Sequence, residues 1–212
     1  PEHLNMPVGD FSIRTWLEEG EGNLYITWRE DMAEALKPLI SAWIDAVFVS
    51  ILSMDEDENR RIWAFIDELA SLEKLSSLEA ALTKGRKHGL RVVAGLQSTS
   101  QLDDIYGRDL AQTLRSCFRS LAVLGGSKTD PRTSKDMSDA LGQHEVERDK
   151  YSKSSGTRTS TNKSEDVKQE SVVTASEIAS LPDLTGYIAF AGDFPVAKFK
   201  LEPLNFKKIN EP

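Results

Sequence analysis

The stretch Arg61-Ile62-Trp63-Ala64-Phe65-Ile66-Asp67-Glu68-Leu69 constrains this chain more than any other. An arginine opens it, five consecutive apolar residues follow, and two adjacent carboxylates come next. Such a run predicts a short strand buried on both faces, the environment of a parallel sheet covered by helices on either side. Asp67 and Glu68 would then emerge at the carboxyl end of the strand, the edge where open α/β sheets bind ligands. An aspartate there can hold Mg²⁺, usually through water, because a hard cation takes oxygen ligands and keeps several of its waters. A glutamate beside it can orient or deprotonate the water that attacks a γ-phosphate. This is the Walker B arrangement. The alternative is that Asp67 and Glu68 merely open a solvated loop or helix.

The flanking sequence supplies the rest of an α/β pattern. Upstream, Phe11–Glu18 reads as a short helix and Asn23–Trp28, rich in aromatic and β-branched residues, as a strand. Apolar positions from Met32 to Ile51 recur at helical spacing, with Pro38 in the early part. After the carboxylates, Ser76 and Glu79 have capping-box spacing, and the helix they open should stop at Gly89. Arg91–Leu96 predicts a second buried strand, a helix follows with Leu102, Tyr106, Leu110, Leu114 and Phe118 on one face, and Leu121–Leu124 predicts a third strand. Alternating strands and helices imply a parallel sheet with right-handed crossovers. Further on, Ser134–Leu141 reads as a helix, Thr174 and Glu177 as a capping box, and Tyr187–Ala191 with Val196–Leu201 as an antiparallel edge hairpin. Residues 150–168, rich in Ser, Thr and Lys, have no apolar periodicity and read as an exposed, mobile loop.

Composition narrows the function classes. A formal net charge of −8 over 212 residues argues against a surface-wide nucleic-acid binder, so any such contact must come from local basic segments. The one cysteine, Cys117, excludes an internal disulfide framework and reads as a small core residue. The apolar region Leu39–Leu52 reads as too short for a membrane span and is interrupted by Asp45, and no signal-peptide pattern is present.

Further residues are candidates for chemistry. Gln97 should end the second strand, beside Asp67 and Glu68, where an amide could bond a γ-phosphate or the attacking water; a strand-end glutamine can equally bond nearby backbone. Lys84, Arg86, Lys87 and His88 crowd a helix end, which cations favour. A guanidinium in that place could also act as a finger on a neighbouring subunit's phosphate, and both readings stand on these residues alone. Lys150, Lys153, Arg158 and Lys163 could touch a phosphate backbone or simply be solvated. Gly125-Gly126-Ser127-Lys128-Thr129 is no P-loop, because a serine separates Gly126 from Lys128 and the upstream glycine is absent. The G-x-x-x-x-G-K-[ST] pattern occurs nowhere, which leaves half a nucleotide site.

Three segments, Phe65–Leu72, Ala81–Lys87 and Gly95–Leu102, resemble the type IV coupling proteins of conjugative plasmids, within the TraD/TrwB group. The resemblance extends through His144–Arg148 and Leu181–Leu184 and so covers nearly the whole chain. It implies a RecA-like P-loop NTPase fold: α/β, mostly parallel, with helices on both faces and an antiparallel edge hairpin. Residues 1–10 would end an upstream helical insert or linker. Residues 11–212 would be the C-terminal portion of the nucleotide-binding domain, without its Walker A segment.

The resemblance also implies a function. Such proteins are hexameric ATPases, using ATP and Mg²⁺, at the cytoplasmic face of the bacterial inner membrane. They link a relaxase–DNA complex to a type IV secretion channel and drive single-stranded DNA transfer, contacting single- and double-stranded DNA and reaching the membrane through an upstream segment. Position by position, Asp67 matches the Walker B aspartate, Glu68 the catalytic glutamate, Gln97 the polar sensor and Arg86 the arginine offered across the subunit interface. Two alternatives remain: a docking module without its own turnover, or a sister ATPase for pilus assembly or protein export.

Overall fold

The computed structural model describes residues 11–20, 22–154 and 160–204, with the backbone alone over 146–154 and 160–167. The chain divides after Phe118 into two compact units. The expectation for residues 1–10 lies outside the described residues.

In the first unit, helix α1 (Ile13–Glu19) is capped by the Ser12 hydroxyl, which accepts from the Thr15 N–H. A 3-10 turn at Glu30–Met32 leads into α2 (Ala33–Leu52), which keeps Pro38 inside it. Strands β1 (Ile62–Ile66) and β2 (Leu90–Ala94) pair in parallel, from Ile62 opposite Leu90 to Ile66 opposite Ala94. Between them run α3 (Leu78–Lys84) and a 3-10 turn at Gly85–His88, and Gly89 at φ 89° ends the segment as expected. Helices α4 (Thr99–Tyr106) and α5 (Arg108–Cys117) follow. The core joins Phe48 and Ile51 of α2 to Leu69, Leu75, Leu78, Leu102 and Leu114.

Several expectations need correction here. Asn23–Trp28 forms no strand. Its aromatic and β-branched residues have the propensity but no ladder partner, and Ile26 and Trp28 pack against the core instead. The single helix expected through Leu102–Phe118 is two, because Gly107 at φ 78° breaks it. Strand β1 is covered on one face only: Ile62, Ala64 and Ile66 pack on the core, while Trp63 and Phe65 are 57% and 73% exposed. Their rings stack 5.9 Å apart, with exposed Val93 on the paired strand.

The expected Ser76–Glu79 capping box is not formed. Asp45 of α2 takes its place, accepting from the backbone N–H groups of Ser76 and Ser77, each at 3.0 Å, and from both hydroxyls. Ser41 Oγ likewise accepts from the Glu73 N–H, and the Tyr106 phenol oxygen from the Leu75 N–H. A carboxylate on one helix thus fixes the start of another, and no local sequence pattern encodes that. By length and composition Glu30–Leu52 could cross a membrane. That corrects the expectation of a run too short to span; in this structure its Phe48 and Ile51 are buried in the core, while Leu39, Trp43 and Val49 are exposed.

Burial works to raise the Asp45 pKa, but the hydrogen bonds from Ser77 and Ser76 outweigh it and hold the carboxyl below its usual range. A depressed folded-state pKa means stability that is present above the unfolded value, about 3.9, and lost as pH falls through the folded one. Asp45→Ala should therefore cost about 1–3 kcal/mol at pH 7. In urea denaturation, the gap from the parent should shrink toward pH 3.

In the second unit, β3 (Leu121–Val123), β6 (Thr185–Ala189) and β7 (Ala197–Lys200) form an antiparallel sheet in the order β3-β6-β7. The expected edge hairpin is β6–β7. Strand β3, however, pairs antiparallel with β6 rather than joining the parallel pair. Helix α6 (Pro131–Leu141) has Asp130 as its cap, and α7 (Ala175–Ala179) has the expected Thr174–Glu177 capping box. Val123, Leu141, Val173 and Ile178 form a small separate core.

Where a loop is expected at 150–168, the backbone forms an antiparallel ribbon of β4 (Gln143–Ser154) and β5 (Ser160–Ser171). Periodicity misses it because a backbone ladder needs no alternation of apolar residues when its faces are polar.

Candidate active site

The parallel pairing of β1 and β2 brings their carboxyl ends together, and two backbone bonds lock them. The Gly95 N–H donates to the Ile66 carbonyl at 2.8 Å, and the Leu69 N–H to the Gly95 carbonyl at 3.0 Å. A Cβ on Gly95 would lie 1.9 Å from the Asp67 carbonyl oxygen, so no side chain fits. Gly95 is thus what lets the Asp67 backbone and the segment leading to Gln97 approach. The sequence reading missed it: glycine inside an apolar run signals a close backbone approach. Gly95→Ala should force the strand ends apart, costing about 2–3 kcal/mol. Thermal denaturation checks this, and a melting temperature equal to the parent's would refute it.

Asp67 is exposed at this edge. Glu68 stands at the start of a 3-10 turn, Leu69–Ser71, which its carbonyl holds by accepting from the Ser71 N–H and hydroxyl. Its side chain is half-buried, and Oε1 is shielded from solvent with no hydrogen-bond partner among the described residues. Leaving a polar oxygen so placed is costly, and such an orphaned acceptor calls for a functional explanation. Gln97 is exposed two residues beyond Gly95 and directly precedes the cap of α4. There Ser98 and Gln101 form a capping box, with the Ser98 N–H donating to Gln101 Oε1 at 3.0 Å. That S-x-x-Q spacing was legible in sequence. It fixes where Gln97 leaves the strand.

Among the described residues, no three carboxylate, histidine or cysteine side chains converge as a metal site. The donor set nevertheless fits Mg²⁺, which is bound through one or two carboxylates with waters and phosphate oxygens completing the shell. Asp67 would supply the carboxylate.

Arg86 lies at the opposite edge. It sits in the Gly85–His88 turn, whose following residue, Gly89, accepts from the Ile62 N–H at the entry to β1. Its carbonyl accepts from Arg91 Nη1 at 3.3 Å. Burial, with Arg61 and Arg86 nearby, holds the Arg91 pKa below the usual guanidinium value. A five-residue strand of about 16 Å separates this edge from the carboxylates. Neighbouring Lys87 pairs with Glu56, and buried His88 bonds the Met54 carbonyl through Nδ1 at 2.7 Å. The exposed Arg86 guanidinium has no acidic partner among the described residues. The structure therefore brings Asp67, Glu68 and Gln97 to one edge and sets Arg86 apart from them. Lys150, Lys153 and Lys163 stand on the β4–β5 ribbon, and Arg158 lies outside the described residues.

Residues 2–202 match the family model described as the type IV secretion-system coupling protein DNA-binding domain. This chain belongs to the type IV secretion-system coupling proteins. Among curated relatives, coupling protein TraD of Escherichia coli (strain K12) is 33% identical over 209 residues, 95% of this chain and 28% of the relative. The coupling protein VirD4 of Bartonella henselae is 29% identical, over 73% of this chain and 24% of its own length. Among solved structures, unbound TrwBΔN70, a bacterial conjugative coupling protein, superposes with a TM-score of 0.87 at 63% identity, covering 100% of this chain and 48% of that one. The plasmid coupling protein TrwB in complex with ADP and Mg²⁺ gives 0.85 at 62% identity, over 99% of this chain and 47% of that one. The RecA-like α/β fold is thereby shown. This coupling-protein chain spans about a quarter of its curated relatives and just under half of the solved chains.

Proposed function

We propose that this chain is the catalytic C-terminal part of an ATP-hydrolysing motor that links a relaxase–DNA complex to a type IV secretion channel and drives single-stranded DNA transfer. The observation that carries the reading is the β1–β2 edge, where the buried, unpartnered Glu68 Oε1 stands beside the exposed carboxylate of Asp67. In this reading the Asp67 carboxylate holds the Mg²⁺ that neutralises charge on the phosphates. Glu68 accepts a proton from the attacking water, and Gln97 positions that water or a γ-phosphate oxygen. That TrwB has been solved in complex with ADP and Mg²⁺ and with an ATP analogue supports a nucleotide-binding role for this chain. Phosphate grip by a backbone cradle and lysine must come from outside these residues, since no P-loop pattern is present. A homo-hexamer at the inner membrane is the assembly we propose.

The test compares the complete protein with the isolated 212-residue chain. The complete protein should hydrolyse Mg-ATP faster when single-stranded DNA is added. The isolated chain should bind Mg-ATP weakly or not at all by calorimetry. Micromolar binding by the isolated chain would contradict the division of the site, and an absence of hydrolysis by the complete protein would favour a docking module.

A further inference from the structure

We infer that the far end of the β4–β5 ribbon, where the strand register sets Tyr151 opposite Lys163 and two residues from Lys153, is an arm that binds single-stranded nucleic acid. The inference extends the DNA-transfer reading, and rests on it for the choice of nucleic acid over other polyanions.

The first ground is where charge sits. On a chain of net charge −8, the fifteen residues Lys150–Ser164 carry four cations and no carboxylate. The strand register turns this into a spatial division. The outermost rung that holds an acid is Asp149 opposite Glu165. Beyond it come Lys150 opposite Ser164, Tyr151 opposite Lys163 and Lys153 opposite Thr161. Inward from it stand Glu145, Glu147, Asp166 and Glu170, against only Arg148 and Lys168. The ribbon is thus acidic near its base and basic toward its far end.

The second ground is which residues share a face. Directly paired residues lie on the same side of an antiparallel ribbon, and so do residues two apart along a strand. Tyr151, its partner Lys163 and the next same-side residue Lys153 therefore share one face. Continuing inward, that face carries Asp149, Glu165, Glu147 and Glu145. On this register the far end of the face suits a polyanion and the inner end does not. Tyr151 is the only Phe, Tyr or Trp in either strand.

The third ground is what the ribbon lacks. It pairs with no other strand among the described residues, and isolated two-stranded ribbons are marginal in water. Its sequence supplies no apolar alternation for packing against a sheet or helix. An aromatic flanked by cations is instead the pairing used on single strands, where bases are free to stack and phosphates run alongside. A duplex presents phosphates but keeps its bases stacked on one another, which leaves Tyr151 without a use. The family model described as a DNA-binding domain spans the ribbon.

The test measures binding of the complete protein to a labelled single-stranded oligonucleotide and to a duplex of equal length across a salt series. Lys153→Gln with Lys163→Gln should lower the slope of log affinity against log salt by about 1.4 for each arm engaged on a single strand. Lys153→Arg with Lys163→Arg should keep the parent slope, which separates lost charge from a misfolded ribbon. Tyr151→Leu should weaken single-strand binding about 5- to 150-fold with the slope unchanged, and leave duplex binding alone. Parent-like affinity and slope in both the glutamine and leucine variants would overturn the arm while leaving the motor reading intact. Equal losses on duplex and single strand would overturn its single-strand character. Weakened binding to phosphatidylserine vesicles, with DNA binding unchanged, would assign the arm to a membrane instead. A complete protein that binds no single-stranded DNA would overturn the DNA-transfer reading itself.

Discussion

Glu68→Gln in the complete protein should keep nucleotide binding and slow hydrolysis by about 10²–10⁴. The amide is nearly isosteric with the carboxylate, so the Leu69–Ser71 turn that starts at residue 68 should survive; its bonds to Ser71 use the Glu68 backbone carbonyl. What the amide cannot do is accept a proton from water. Asp67→Asn should act differently, because the exposed Asp67 carboxylate is the expected Mg²⁺ ligand. Its main effect should be on Mg-nucleotide affinity. Calorimetry with a non-hydrolysable ATP analogue, run beside steady-state turnover, separates the two. Equal loss of affinity in both variants would refute the division of roles, and full turnover in Glu68→Gln would remove it from the chemistry.

The carboxylate edge was legible because its signal is contiguous: apolar run, then Asp67 and Glu68, then a second short apolar run leading to Gln97. Parallel pairing of those runs followed from alternation of strand and helix, and the structure bears it out. What escaped the sequence depends on partners distant along the chain. Asp45 caps a helix more than thirty residues away, and Gly95 matters because of the Asp67 carbonyl. The exposed Trp63 and Phe65 face shows the same limit from the other side. Their apolarity marks a strand meant for cover on both sides, and these residues provide cover on one. The β4–β5 ribbon escaped for a different reason, since a polar ladder leaves no hydrophobic period to detect.

Arg86→Ala in the complete protein should bind ATP normally and hydrolyse it about 10³–10⁵ more slowly, the worth of an arginine finger. Within its own subunit Arg86 lies at the entry edge of the parallel pair, a strand's length from Asp67 and Glu68. That separation argues against service at the same subunit's phosphates. The residue is also placed for presentation: a tight turn fixes its backbone, Lys87 beside it is paired with Glu56, and its own guanidinium is exposed without an acidic partner among the described residues. Arg86→Lys should rescue little, because a point charge lacks the fork that engages two oxygens of a transferring phosphoryl group. The decisive measurement mixes two inactive proteins. Subunits carrying Arg86→Ala keep an intact pocket, and subunits carrying Glu68→Gln keep an intact finger. Where the two meet in the right order, one interface has both, and some hydrolysis should return at intermediate ratios. Confirmed mixed rings with no recovery at any ratio would contradict action in trans. Unchanged turnover in Arg86→Ala alone would reduce the basic turn to a helix stop.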